Sequence, residues 1–302
     1  MSYSTPMRFA EALIPFANEF TLPDGTRLAC LDSAGDCAGD PVLLVHGLQD
    51  EADTWRHIFT PLTRMRRIVA PDLPGFGRSD KARRRYDMQL FTGSILALLD
   101  ALHIERAHLV GSSLGAMICE FIALHHPQRA ASLTLIDGTL IITRPPPTPP
   151  GAILRMLFAD YFDRRFFNAL RCAPDDAYAT LQPYYANLSA LPAADRQFLF
   201  QRVNERVWDE GQRRAALSVR ATLTPFLLRN GARMRAIAAG STVPTTVIWG
   251  AQDHILSSAN GRTRADLQHT ARYVEIDDAG HLPHQENPGA VLDALSQQID
   301  RS

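Results

Sequence analysis

No stretch of this sequence is apolar for long enough to span a bilayer as a helix, so no integral membrane association is expected. The most apolar part of the amino terminus, Phe9 to Phe16, is broken by Glu11 and Pro15, which makes a poor secretory core. A cytoplasmic protein is expected. An excess of charge of one sign is lacking too: 31 basic against 32 acidic residues leave a formal net charge of −1. Such a chain has no global field to attract nucleic acid or acidic lipid. The densest basic run, Arg83-Arg84-Arg85, reads as a solvated loop. Cysteines are few. Cys30, Cys37, Cys119 and Cys172 show neither a CxxC pair nor zinc spacing. At 302 residues no disulfide framework is needed, so reduced and mostly buried thiols are expected. No internal repeat is visible.

What is present is ordinary globular composition, 46% hydrophobic and 21% charged, in enough chain for a large core. Short β-branched runs alternate with longer helical patterns, which points to a parallel sheet with crossover helices. Asn18–Leu22 and Arg27–Asp32 flank Pro23-Asp24-Gly25 and read as an antiparallel hairpin. Pro41 to Gly47 and Ile68–Ala70 follow as strands, the first a continuous apolar run of the kind buried on both faces. Gln89–Leu102 has helical spacing. Ala107–Val110 is a strand, Leu114–His125 a helix and Ser132–Ile136 a strand. The run Arg144 to Pro150, with five prolines, suits only an extended linker. Residues 151–240 are helical and aromatic-rich without strand signals. Thr245–Trp249 and Arg272–Ile276 complete the strands, and Pro288–Ile299 is a final helix. The fold expected is α/β, a mostly parallel central sheet flanked by helices, with a helical insertion after the sixth strand. Residues 1–143 and 241–302 form the core domain and 144–240 the insertion, placed over the carboxyl edge of the sheet.

The chemistry is concentrated in Gly111-Ser112-Ser113-Leu114-Gly115, between a strand and a helix. A turn that sharp strains its central residue, and small residues two before and two after prevent strand–helix clashes. Ser113 is thereby thrust out above the sheet. The amide of Leu114 opens the following helix, where an oxyanion would be stabilised. A serine hydroxyl needs a base beside it. His281, in the loop after the last strand, is the leading candidate, and His284 is the runner-up. The imidazole in turn needs an acid. Asp253, just past the Thr245–Trp249 strand, is favoured. Asp137, after Ser132–Ile136, is a rival on the same sheet edge. The order Ser113, Asp253, His281 is the one expected for this motif.

With those residues stand His46-Gly47 after a strand, Asp72-Leu73-Pro74-Gly75-Phe76-Gly77-Arg78-Ser79 after the next, Gly250 to Asp253, and Gly280-His281. In these motifs, over roughly residues 18–140 and 241–300, the chain resembles the α/β-hydrolase family in its cap-bearing form. The resemblance implies a Ser113–His281–Asp253 triad, an oxyanion hole from the Leu48 and Leu114 amides, and structural roles for His46, Arg78 and Ser79. Members acting as haloalkane dehalogenases or epoxide hydrolases carry aspartate at the elbow, which Ser113 argues against. Carbon–carbon hydrolases of aromatic ring cleavage use serine but typically carry tryptophan after the histidine, where this chain has Leu282.

The activity expected is hydrolysis of a small-molecule carboxylic ester through an acyl-enzyme on Ser113. That chemistry calls for no metal and no organic cofactor. The insertion is expected to set the substrate, with an apolar acyl group of short to medium length. Most of its aromatics are expected to form its own small core, and Phe158, Phe162 and Phe166 recur at four-residue intervals on one helical face. Two other readings stand beside this one. A carbon–carbon hydrolase of a dienoic diketone acid would need a cation in the insertion, such as Arg155, Arg164 or Arg165. A weakly active ligand-binding protein of the same fold would have no need of Asp253 and His281. Oligomeric state is not legible.

Overall fold

The computed structural model describes residues 7–35, 38–143 and 159–301, apart from the side chains of residues 159, 160 and 162. The proline-rich linker, Arg155, Phe158 and Cys37 therefore lie outside the described residues. Eight strands form one sheet: β1 (Ala17–Thr21), β2 (Arg27–Asp32), β3 (Val42–Val45), β4 (Ile68–Pro71), β5 (Ala107–Ser112), β6 (Ala130–Ile136), β7 (Thr245–Gly250) and β8 (Arg272–Ile276). Their order is β1-β2-β4-β3-β5-β6-β7-β8. β2 runs antiparallel to β1 and β4, and all other pairs are parallel. The expected hairpin is there: Gly25 takes a φ of +81° in its turn, and the Asp24 carboxylate accepts from the Thr26 amide at 2.9 Å.

Strands β3, β5, β6 and β7 are buried throughout. Their apolar runs are continuous because helices cover both faces, and side-chain alternation sorts them into two cores. Leu43, Val45, Leu109, Leu135 and Val247 face a cluster built with α2 (Met88–Ala101) and α3 (Leu114–His125). Val42, Leu44, Val110, Ile136 and Ile248 face the opposite cluster, with Trp55, α1 (Phe59–Leu62) and, near the carboxyl terminus, Val291 and Leu295. The thiols of Cys30 and Cys119 are buried, while Cys172 is exposed.

After β6 come α4 (Ala159–Arg171), α5 (Pro174–Ala179), α6 (Ala193–Trp208) and α7 (Glu210–Ala239), before the chain returns to β7. This is the helical insertion after the sixth strand. It carries two small apolar cores: one around Leu170, Ala177, Val203 and Val207, the other around Tyr185, Leu188 and Leu199, against Leu282. The last helix of the insertion, α7, also packs on α3 and on α8 (Ser258–Leu267), so it doubles as the crossover to β7. α9 (Pro283–Glu286) and α10 (Pro288–Ile299) close the chain, α10 capped by the Asn287 side chain on the Ala290 amide with Pro288 in its first turn. No described helix is long and apolar enough to cross a membrane.

One buried ion pair braces the sheet from behind. Arg264 of α8 bonds Glu120 of α3, both fully buried. Glu120 also accepts from the Thr139 hydroxyl at 2.8 Å and from the Leu140 amide at 2.5 Å. Arg264 shares its remaining donors with Gln268 at 3.3 Å. The segment just beyond β6 is thus tied to two helices through one carboxylate.

Candidate active site

The turn from β5 to α3 is as tight as its glycines suggest. Ser113 takes φ +53° and ψ −115°, a conformation that costs a non-glycine residue about 1–3 kcal/mol. A side chain at Gly111 would put its Cβ 2.3 Å from the Gly115 carbonyl, and one at Gly115 would lie 2.0 Å from the Val45 oxygen. The elbow is held from outside, since the Ser113 amide donates to the Ile136 carbonyl at 2.8 Å.

Ser113 and His281 meet. His281 Nε2 is 2.9 Å from Ser113 Oγ, and Nδ1 is 2.8 Å from Asp253 Oδ2. Asp253 Oδ1 is occupied by the amides of Ile255 at 2.7 Å and Leu256 at 3.0 Å. These bonds leave Oδ2 for the imidazole and favour the tautomer with the proton on Nδ1, so that Nε2 faces the hydroxyl as an acceptor. His281 is itself placed by its amide, which donates to the Tyr184 carbonyl of the insertion at 2.9 Å.

The two rivals are placed differently. His284 is fully buried, 2.9 Å from the Thr54 hydroxyl through Nε2, and stacked near Trp55. It does not reach Ser113. Burial, with help from the Arg56 charge, lowers its pKa to about 3. The unfolded chain takes up a proton below the ordinary histidine value, and the folded one refuses it. Stability is therefore complete above pH ~6.5 and drains away as pH falls from there towards about 3. His108, lowered to about 4 by burial, acts in the same direction. His284→Gln should shrink the fall in urea midpoint between pH ~7.5 and ~5. An unaltered fall would remove His284 as a source of acid sensitivity. Asp137 is also fully buried, at the carboxyl end of β6, and does come to the relay: one oxygen each from Asp137 and Asp253 and one nitrogen of His281 lie within 4.8 Å of one another. Three such groups could in principle ligate a metal. His281, however, already uses both ring nitrogens on Asp253 and Ser113.

The loop after β3 carries Leu48. His46, buried behind it, donates from Nδ1 to the Gly47 carbonyl at 2.7 Å and accepts the Leu73 amide on Nε2 at 2.9 Å. These bonds lock the loop beside Ser113. The next loop is equally fixed: buried Asp72 accepts from the Ala52 amide and from the Arg78 amide, Nε and Nη2. Ser79 donates to the Asp72 carbonyl at 2.7 Å and accepts from the Ala29 amide at 3.0 Å.

Gly47, Leu48, Ser113 and His281 open on one cavity of about 350 Å³. The insertion supplies its walls, with Phe166, Phe167, Leu170, Leu181, Leu199 and Val203 as the apolar part. Two cations of that wall went unforeseen in the sequence. Arg206 lines the cavity and is bound to Asp50 at 2.6 Å and Glu51 at 2.7 Å. Arg220 reaches Gln49 Oε1 at 2.7 Å. The signal was there: Arg202 and Arg206 share one face of α6 at i, i+4, and Asp50-Glu51 supply the opposite charge. Arg164 and Arg165, considered earlier, are exposed and do not line the cavity.

A family model described as the alpha/beta hydrolase fold matches residues 40–288. A dihydrolipoyllysine-residue acetyltransferase component of an acetoin cleaving system from Pseudomonas putida is 31% identical over 270 residues, which is 87% of this chain; the chain spans 64% of that relative's length. A 2-hydroxymuconate semialdehyde hydrolase from Pseudomonas sp. (strain CF600) is 28% identical over 256 residues, 79% of this chain and 86% of that protein. Among solved structures, a 2-hydroxy-6-oxo-6-phenylhexa-2,4-dienoate hydrolase from Rhodococcus sp. strain RHA1 has the same fold at a TM-score of 0.77 and 21% identity, covering 94% of this chain and 99% of that one. With the family model matching most of its length, the chain belongs to the alpha/beta hydrolase fold family.

Proposed function

We propose that the protein is a cytoplasmic serine hydrolase that cleaves carboxylic esters with an apolar acyl group. The observation that carries this reading is the unbroken relay from Ser113 through His281 to Asp253, opening on a cavity with an apolar wall. In this mechanism His281 Nε2 takes the Ser113 proton as Oγ attacks the ester carbonyl. The amides of Leu48 and Leu114 receive the developing oxyanion. The imidazolium, steadied by Asp253, returns its proton to the leaving alcohol, and an acyl-enzyme remains. Water then attacks, giving its proton to His281, which passes it to Ser113 Oγ as the acyl–oxygen bond breaks and the acid departs. Helices between β6 and β7 act as the cap, since they wall the cavity over Ser113.

The size and charge of the cavity favour a compact, uncharged acyl group. At about 350 Å³ it lies near the small end of the ~300–1,000 Å³ typical of ligand pockets. Arg206 is matched by acids of the chain itself, which supports an ester over an anionic diketone acid. A carbon–carbon hydrolase remains the second reading, favoured by the name of the Pseudomonas sp. relative. Turnover of p-nitrophenyl acetate, butyrate, octanoate and palmitate should peak at butyrate or octanoate and fall steeply at palmitate. No turnover of any ester, with cleavage of a dienoic diketone acid, would replace the ester reading by the second.

A further inference from the structure

The relay holds one carboxyl more than the mechanism uses. Asp137 follows β6 and Asp253 follows β7, neighbouring parallel strands in which Ile136 pairs with Ile248. Asp137 is held in the left-handed region at φ +47°, with its amide donating to the Ile248 carbonyl at 3.1 Å. Its Oδ1 accepts from the Gly250 amide at 2.9 Å, while its buried Oδ2 meets no N–H donor among the described residues and its carboxyl stands against that of Asp253. The Asp253 side chain is equally shut off from solvent. Two ionised carboxylates this close, both closed off from bulk solvent, repel strongly enough that one must keep its proton. The hydrogen bonds decide which. Asp253 accepts from two amides and from His281, and Asp137 from one amide only. Burial first, and then the Asp253 charge, push the Asp137 carboxyl well above the usual range. Glu286, at the end of α9, and Tyr273 of β8 also feel the Asp137 charge.

We propose that Asp137 is a second carboxyl of the relay: it shares one proton with Asp253, positions that carboxylate against His281, and accepts the hydrogen bond from Nδ1 when Asp253 is removed. The geometry allows the substitution because Asp137 already stands within 4.8 Å of the imidazole. Once the Asp253 charge is gone, one of the causes that keep Asp137 neutral is removed, and a hydrogen bond from His281 Nδ1 would offset the burial that remains for this carboxyl. It can then ionise and hold the His281 tautomer in place of Asp253.

This inference rests on the serine-hydrolase reading, and its test does not need the natural substrate. The readout is the rate constant for labelling Ser113 with a fluorophosphonate, measured for wild type, D137N, D253N, D137N/D253N and D137A. Asparagine at 137 keeps an acceptor for the Gly250 amide and a donor for Asp253. D137N should therefore cost a few-fold and D137A clearly more. D253N should slow labelling by about 10- to 100-fold, and the double variant by about 10⁴-fold, the loss seen when a triad histidine has no carboxylate. D137N must thus cost far more without Asp253 than with it. If it costs the same factor in both backgrounds, Asp137 is structural and the proposal fails. Thermal midpoints identify variants that fold, and the isosteric asparagine set carries the test if D137A does not. Wild type that no phosphonate labels would remove the serine-hydrolase reading itself; wild type that labels normally, with D253N and the double variant equally slow, would remove this one alone.

Discussion

Ser113→Ala should lower kcat for ester hydrolysis by roughly 10⁴- to 10⁶-fold while KM changes little. Oγ is the only atom the substitution removes that forms a bond to substrate. The elbow backbone is held by the Ile136 carbonyl and by the glycines on either side, so alanine keeps the strained φ and the fold. Activity that survives comes from water attacking a carbonyl still polarised by the two amides, which is why the loss has a floor. Ser112 offers no rescue, because its hydroxyl is buried inside β5. Steady-state kinetics on the best p-nitrophenyl ester decide the matter. Retention of more than about a hundredth of wild-type kcat would mean that Ser113 is not the nucleophile.

Arg264→Met should destabilise the protein by about 3–5 kcal/mol, because it strands the Glu120 carboxylate in a site with no solvent. For a chain of this size the thermal midpoint should drop by roughly 10 °C. The damage should spread to activity, since Glu120 anchors the Thr139 hydroxyl and the Leu140 amide two to three residues beyond Asp137. Adding Glu120→Gln keeps an acceptor for Leu140 and removes the charge, so the double variant should regain part of the loss. Single and double variants that melt together would show that the unpaired charge is not what destabilises the first.

The sheet and the relay were legible for different reasons. Each strand expected from Asn18 to Ile276 is present within a few residues: the buried parallel strands write themselves as continuous apolar runs, and the first, antiparallel pair is marked by its Pro23-Asp24-Gly25 turn. The elbow was legible because sterics leave glycine little alternative at 111 and 115. His281 and Asp253 followed from their loops at the ends of β8 and β7. Geometry then divided their rivals in a way that position along the chain could not. His284, three residues from His281, is turned to Thr54, whereas Asp137, 116 residues from Asp253 in sequence, stands beside it. Helix α8 passed unnoticed because its buried face is polar: Asn260 and Arg264 are both fully buried there. Arg206 escaped for a related reason. Its role is set by Asp50 and Glu51, more than 150 residues away, and a charge on a helix otherwise reads as solvated. Phe166 was placed on a helical face by spacing alone, and the structure shows it half exposed at the cavity wall.

The sheet is open, with β1 and β8 at its two ends. Their outer backbone groups are a template on which a strand from another molecule could nucleate, the first step of self-association. Charge stands guard at both margins. Glu19 lies on β1, answered by Arg27 across the hairpin, and Arg272 and Glu275 lie on β8, the latter paired with Arg262. A stranger strand would have to bury these groups to dock, so the same few surface charges that add little to folding keep concentrated protein from adding strand to strand.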